Sequence, residues 1–207
     1  CAAGWIIDSP MDIPNVGRIA MVTDPQGVPF YLMTPIPPAG VPDATSDVFD
    51  LEAPQRVNWN ELASPDLAGA KAFYSRHFGF EFNEAMDMGP MGDYAFIDHH
   101  GQRIGAIMQR QAADQPAAWL FYVGVPSIAA ATRAIEANGG TVLVAPHEIP
   151  TGDWIVIAAD PPDPDVMNRP PRDPSVPISN RPAILRWVLY GGVRFLTMEL
   201  VDGPNLV

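Results

Sequence analysis

The chain has 207 residues, a net charge of −12, 47% hydrophobic residues and 17% charged ones, the make-up of a globular protein with a real core. The acidic balance disfavours nucleic acid, whose phosphates need a basic face, and it disfavours anionic membrane surfaces. No run of 18 apolar residues offers a transmembrane helix, and a single cysteine permits neither an internal disulfide nor a Cys-based metal site, so the cytoplasm is the expected compartment.

The opening segment is read by strands. Residues 5–8 (WIID), 18–23 (RIAMVT) and 28–34 (VPFYLMT) are strand candidates. Asp24-Pro25-Gln26-Gly27 joins the last two. Pro25 presets φ for a turn and Gly27 accepts a positive φ, so a hairpin is predicted. Residues 36–56 are Pro-rich, acidic and without periodicity, which is the pattern of a linker.

A fuller unit begins at Val57. Residues 57–63 (VNWNELA) read as a strand, Ser64 as an N-cap and Pro65 as the first helical residue. Leu67, Ala70, Phe73, Tyr74, His77 and Phe78 recur at helical spacing, and Gly79 ends the helix. Strands are predicted at 80–84, 93–98 and 103–109, with His99-His100-Gly101-Gln102 turning between the last two. A fifth strand is expected at 119–125, a helix from Ser127 to Asn138 stopped by Gly139-Gly140, and strands at 141–144 and 154–159. The order is one helix followed by a small antiparallel meander, twice. The fold class is α+β, with paired βαβββ modules forming a curved mixed and antiparallel sheet cup and helices outside.

Residues 1–25 are echoed by residues 137–161 at a fixed offset of 136. Seven positions are identical: Gly4/Gly140, Pro10/Pro146, Ile13/Ile149, Pro14/Pro150, Ile19/Ile155, Asp24/Asp160 and Pro25/Pro161. Self-similarity at a fixed period signals a duplicated unit. The echo sets Cys1 opposite Ala137, at a helix end. That favours a chain beginning inside a unit over a mature lipoprotein with an acylated Cys1.

Three stretches carry a family resemblance. WNELASPDLAGAKAFYSRHFGFEF at 59–82, VGVPSIAAATRAIEANGGTVLVAP at 123–146 and GRIAMVTDPQGVPFYL at 17–32 resemble the vicinal oxygen chelate superfamily, which includes glyoxalase I, bleomycin-resistance proteins and extradiol dioxygenases. The nearest likeness is to bacterial tandem glyoxalase-like proteins. The resemblance implies that 1–35 is the C-terminal part of a first module, 36–56 a linker and 57–161 a second module. Residues 162–207 are then a Pro-rich tail, with eight prolines in 161–182 and no net charge over 163–207. A strand at 193–201 that brings Glu199 into the cup is one reading of the tail; sequence foreign to the fold is the other.

The superfamily's metalloenzymes hold a divalent ion with His and Glu side chains converging on one point. Mapped residue by residue, the ligand positions fall near Trp59, near Trp119 or Leu120, and at Tyr31, none of which is a usual ligand. The resemblance therefore implies a protein without the usual catalytic metal that binds a small, partly apolar molecule in the cup. The alternatives are a metal-dependent lyase or dioxygenase, or a non-catalytic module that pairs with another chain, with a homodimer left open. Whether the protein is an enzyme stays open too.

Period-two alternation puts Trp59 and Glu61 on one face of their strand. They suit an apolar ligand that carries a donor or a positive charge, unless Trp59 is plain core and Glu61 pairs with an arginine such as Arg103. Tyr94, Phe96, Met108, Trp119 and Tyr31 complete the candidate ligand-binding set. Met86, Met88 and Met91 lie in a Gly- and Pro-containing loop similar to the one that covers the pocket in relatives. The histidines are read as surface or turn residues, and adjacent His147 and Glu148 point to opposite faces.

Overall fold

The computed structural model describes residues 6–159 and the backbone of 197–199. The reading of Cys1, the Pro-rich segment and the rest of the tail lie outside these residues. The chain divides into two compact units, with the boundary between Val123 and Gly124.

In the first unit, β1 (Ile6–Ile13), β2 (Gly17–Thr23) and β3 (Pro29–Pro35) form an antiparallel meander. The β2–β3 turn is locked from within. Asp24 Oδ1 accepts from the backbone N–H of Gln26 and of Val28, each at 2.9 Å, and Gly27 takes φ +84°. A short strand β11 (Thr197–Glu199) lies parallel to β3, pairing Thr197 with Tyr31. The backbone of Glu199 is thus on the edge of this sheet.

The second sheet carries a βαβββ run: β4 (Val57–Ser64), α1 (Leu67–Phe78), β5 (Ala85–Asp87), β6 (Asp93–His99) and β7 (Gln102–Gln109). With β8 (Ala118–Val123) its order is β5-β6-β7-β4-β8, where β4 and β7 are parallel and the other pairs antiparallel. The class is α+β, as expected. Asp66 rather than Ser64 caps α1, accepting from Gly69 N at 2.9 Å. Ser64 ends the strand instead, fully buried, and its hydroxyl bridges to the Asp66 backbone. Residues 80–84 make only a bridge of Glu81 to Asp98, and the regular strand starts later, at Ala85. The predicted 102-side hairpin holds: His100 and Gly101 both have positive φ, the two-residue turn that matches strand twist.

The core lies between α1 and both sheets. Leu62, Ile97, Ile107 and Trp119 from one sheet meet Ala70 and Tyr74 of the helix, and Phe30 of β3 and Val28 of the turn before it join them. Phe30 contacts Phe73, Tyr74 and Phe78 with ring centroids 5.6–6.4 Å apart. Through its middle runs a polar thread. Trp119 Nε1 donates to the Tyr74 hydroxyl at 3.0 Å, and that hydroxyl donates to Asp24 Oδ2 at 3.2 Å. Burial pushes the Asp24 carboxyl above the usual carboxylate range, although four hydrogen bonds pull the other way. Burial and the Asp24 charge also raise the Tyr74 phenol. Three polar groups satisfy one another where each alone would cost heavily.

The second unit contains α2 (Ile128–Ala137), capped by Ser127, and the hairpin of β9 (Thr141–Glu148) with β10 (Trp154–Ala159). Its pairing repeats that of β1 and β2 at the 136-residue offset. Met11↔Ile19 answers His147↔Ile155, Asp8↔Met21 answers Val144↔Ile157, and the irregularities fall at matching places. Within the described part of this unit, Leu143 and Trp154 are exposed.

Candidate functional site

The face of the five-stranded sheet that turns away from α1 is assembled by alternation. Leu62, Ala95, Ile97, Ile107 and Trp119 point into the core, so their strand neighbours Glu61, Tyr94, Phe96, Met108 and Leu120 point the other way. Register then aligns these residues across strands. Phe96 is opposite Ala106, Ala106 opposite Glu61, and Glu61 opposite Leu120; Tyr94 is opposite Met108 and Trp59 opposite Tyr122.

Four side chains on this face form a continuous hydrogen-bonded chain. Trp59 Nε1 donates to the Tyr94 hydroxyl at 2.8 Å. Tyr94 donates to Glu61 Oε2 at 2.8 Å, and Tyr122 donates to the same oxygen at 3.3 Å. Phe96 packs edge-on against both Trp59 and Tyr94, with centroids 6.2 and 5.8 Å away. Burial raises the Glu61 carboxyl above the usual range, while the two phenols partly lower it. Burial and the Glu61 charge hold both phenols well above their ordinary value, so they stay protonated donors.

Arg103 does not pair with Glu61. Its Nε donates to Asp98 Oδ1 at 3.0 Å and Nη2 to Glu84 Oε2 at 2.9 Å, and its guanidinium lies 4.3 Å from the centre of the Phe96 ring. A register shift from Ile97↔Gly105 to Asp98↔Arg103, with Ile104 as the extra residue on β7, sets the Asp98–Arg103 pair.

Of the residues singled out from the sequence, Trp59, Glu61, Tyr94 and Phe96 come together, with Met108 beside Tyr94 in register. Trp119 does not join them. It is 5% exposed on the helix side of the sheet, bonded to Tyr74. Tyr31 belongs to the other sheet, on the face of β3 opposite Phe30. Tyr122 was missed. Strict alternation along β8 would have revealed it, because a core Trp119 forces Tyr122 to the face of Trp59.

The methionine-rich loop forms β5 and a 3-10 turn at Gly89–Met91, and Gln111 Nε2 bonds the Met91 carbonyl at 3.0 Å. His99 and His100 sit at the hairpin turn with rings 4.0 Å apart. His147 is exposed, with Nδ1 2.9 Å from the Ala145 carbonyl oxygen.

The donor set does not suit a divalent ion. Among the described residues no three His, Cys, Asp or Glu side chains converge, and the one carboxylate on this face already has an oxygen taken by two phenols. No helix among the described residues is long and apolar enough to cross a membrane.

The βαβββ run and the sheet face that it builds define a known class. The sequence model of the Glyoxalase/Bleomycin resistance protein/Dioxygenase superfamily matches residues 56–166, more than half of the chain, and the chain belongs to that superfamily. It is similar to the anthracycline biosynthesis protein DnrV of Streptomyces peucetius, 28% identical over 123 residues, or 53% of this chain and 44% of that protein. It is also similar to the putative glyoxylase CFP32 of Mycobacterium bovis, 27% identical over 160 residues, or 76% of this chain and 58% of that protein. The chain thus spans about half the length of the curated relatives it matches.

Proposed function

We propose that the protein binds a small, partly apolar molecule against the face formed by Trp59, Glu61, Tyr94, Phe96 and Tyr122, without the usual catalytic metal. The observation that carries this reading is the chain Trp59–Tyr94–Glu61–Tyr122, which puts one oriented carboxylate among aromatic rings. Such a combination of apolar wall and few fixed polar groups is what a small-molecule site needs. The superfamily's metal positions supply no ligands here, which supports binding by packing and hydrogen bonds. The reading includes a cytoplasmic protein, supported by the single cysteine.

The test is a ligand screen on the full chain read by the Trp59 indole N–H resonance, together with metal content of the purified protein. Ligands that move this resonance in metal-free protein support the reading. A stoichiometric divalent ion whose removal abolishes ligand binding would overturn it.

A further inference from the structure

We infer that the ligand class of this face is an organic cation: an aromatic or apolar body bearing a protonated nitrogen, which docks on Glu61 Oε1. This rests on the reading of the face as the binding site and goes further by naming the charge of the ligand.

The first argument is an accounting of donors and acceptors. The indole N–H of Trp59 is given to Tyr94, and the hydroxyls of Tyr94 and Tyr122 are both given to Glu61 Oε2. Every donor in the cluster is therefore in use. Glu61 Oε1 accepts no hydrogen bond from the described residues, and it is not among the sealed, unpartnered polar atoms, which are Gln26 Oε1 and Asn60 Oδ1. Along the chain Trp59–Tyr94–Glu61–Tyr122 a ligand meets a free acceptor, Glu61 Oε1, and no free donor, so the partner that suits it is an N–H or an ammonium.

The second argument is charge. The groups that act on Glu61 are the Tyr94 hydroxyl from β6 and the Tyr122 hydroxyl from β8, while β7 faces it with Ala106. The nearby cation, Arg103 of β7, is neutralised by Asp98 of β6 and by Glu84, and it sits on Phe96. Glu61 is thus a half-buried carboxylate without a cation of its own. Such a charge is costly until a partner arrives. The surrounding rings of Trp59 and Tyr94 favour a positive partner over a neutral one, and Phe96 already carries a guanidinium on its face.

The test uses three probes of similar shape on the full chain at pH 7.5: phenethylammonium, 2-phenylethanol and 3-phenylpropionate, read by the Trp59 indole N–H. Phenethylammonium should bind about tenfold or more tighter than either other probe. Its affinity should fall as pH is lowered through the Glu61 titration. Glu61→Gln, which keeps an oxygen for both phenols but removes the charge, should abolish the preference for phenethylammonium over 2-phenylethanol. Equal binding of all three probes, or a preference that survives in Glu61→Gln, overturns the cation inference and leaves the site itself standing. If none of the three shifts the Trp59 resonance, while other residues remain folded by the same spectrum, site and inference both fall.

Discussion

Tyr94 and Tyr122 reach Glu61 from opposite sides of β4 and donate to one and the same oxygen. Tyr122 stands on the adjacent strand, but Tyr94 must reach across the whole width of β7. It can do so because the residue of β7 in register with Glu61 is Ala106, whose methyl leaves the row open. The carboxylate is held by its neighbours' shapes as much as by their hydroxyls.

Removing one hydroxyl tests this coupling. Tyr94→Phe deprives the Trp59 N–H of its acceptor and Glu61 of its shorter hydrogen bond. One of the two influences that lower the Glu61 carboxyl is lost, so its pKa should rise further above the ordinary value. Carboxyl carbon NMR titration reads that shift, and stability should fall by about 1–2 kcal/mol. An unchanged titration would show that the two groups do not interact in solution.

Filling the row should act differently. Ala106→Leu places a branched side chain where Tyr94 crosses, on a residue that is fully buried. Tyr94 is expected to leave Glu61, and overpacking should cost about 1–3 kcal/mol. The Tyr94 ring resonances and the urea midpoint report both effects, and Ala106→Gly should leave the Tyr94–Glu61 bond in place.

The parallel pairing of β4 with β7 depends on close backbone approach. A Cβ at Gly105 would collide with the carbonyl oxygen of Asn60 on the facing strand. Gly105→Ala should therefore destabilise the fold by about 1–3 kcal/mol or more, as backbone cannot give way as a flexible side chain does. Denaturant unfolding checks this, and loss of the Glu61–Tyr94 bond should accompany it, because β4 carries Glu61.

Asp24 should leave a signature in the pH dependence of stability. Its folded pKa lies above the ordinary value of 3.8, with burial as the largest cause. The folded state therefore holds its proton more tightly than the unfolded chain. Its contribution to stability is fully present below pH 3.8 and is lost as pH rises through the raised folded value. Asp24→Asn has no such proton, so the wild type's stability relative to this variant should decline across that window. Paired urea unfolding at several pH values measures it; a difference that grows with pH would refute the burial argument.

Much of this architecture was legible in the chain. The stripe Leu67, Ala70, Tyr74 and the Gly79 stop mark α1, because helix periodicity and capping are local properties. Alternation along β4 pairs Trp59 with Glu61 for the same reason. The shared register of β1–β2 and β9–β10 follows residue patterns repeated at the 136-residue offset. The cap of α1 was misplaced by two residues because Ser64 and Asp66 are both good caps, and only the burial of Ser64 separates them.

What the sequence alone determined was local: which segments form strands and helices, and which side chains share a face. What only the tertiary structure decided was partnership across strands. Trp119 turned to the core and Tyr122 to the aromatic face because the packing of Tyr74 fixed the sense of β8. Arg103 chose Asp98 and Glu84 over Glu61 because the extra residue Ile104 on β7 shifts the register and sets Arg103 against Asp98. Tyr94 and Tyr122, 33 and 61 positions from Glu61, met on one of its oxygens through sheet order, which no local pattern encodes.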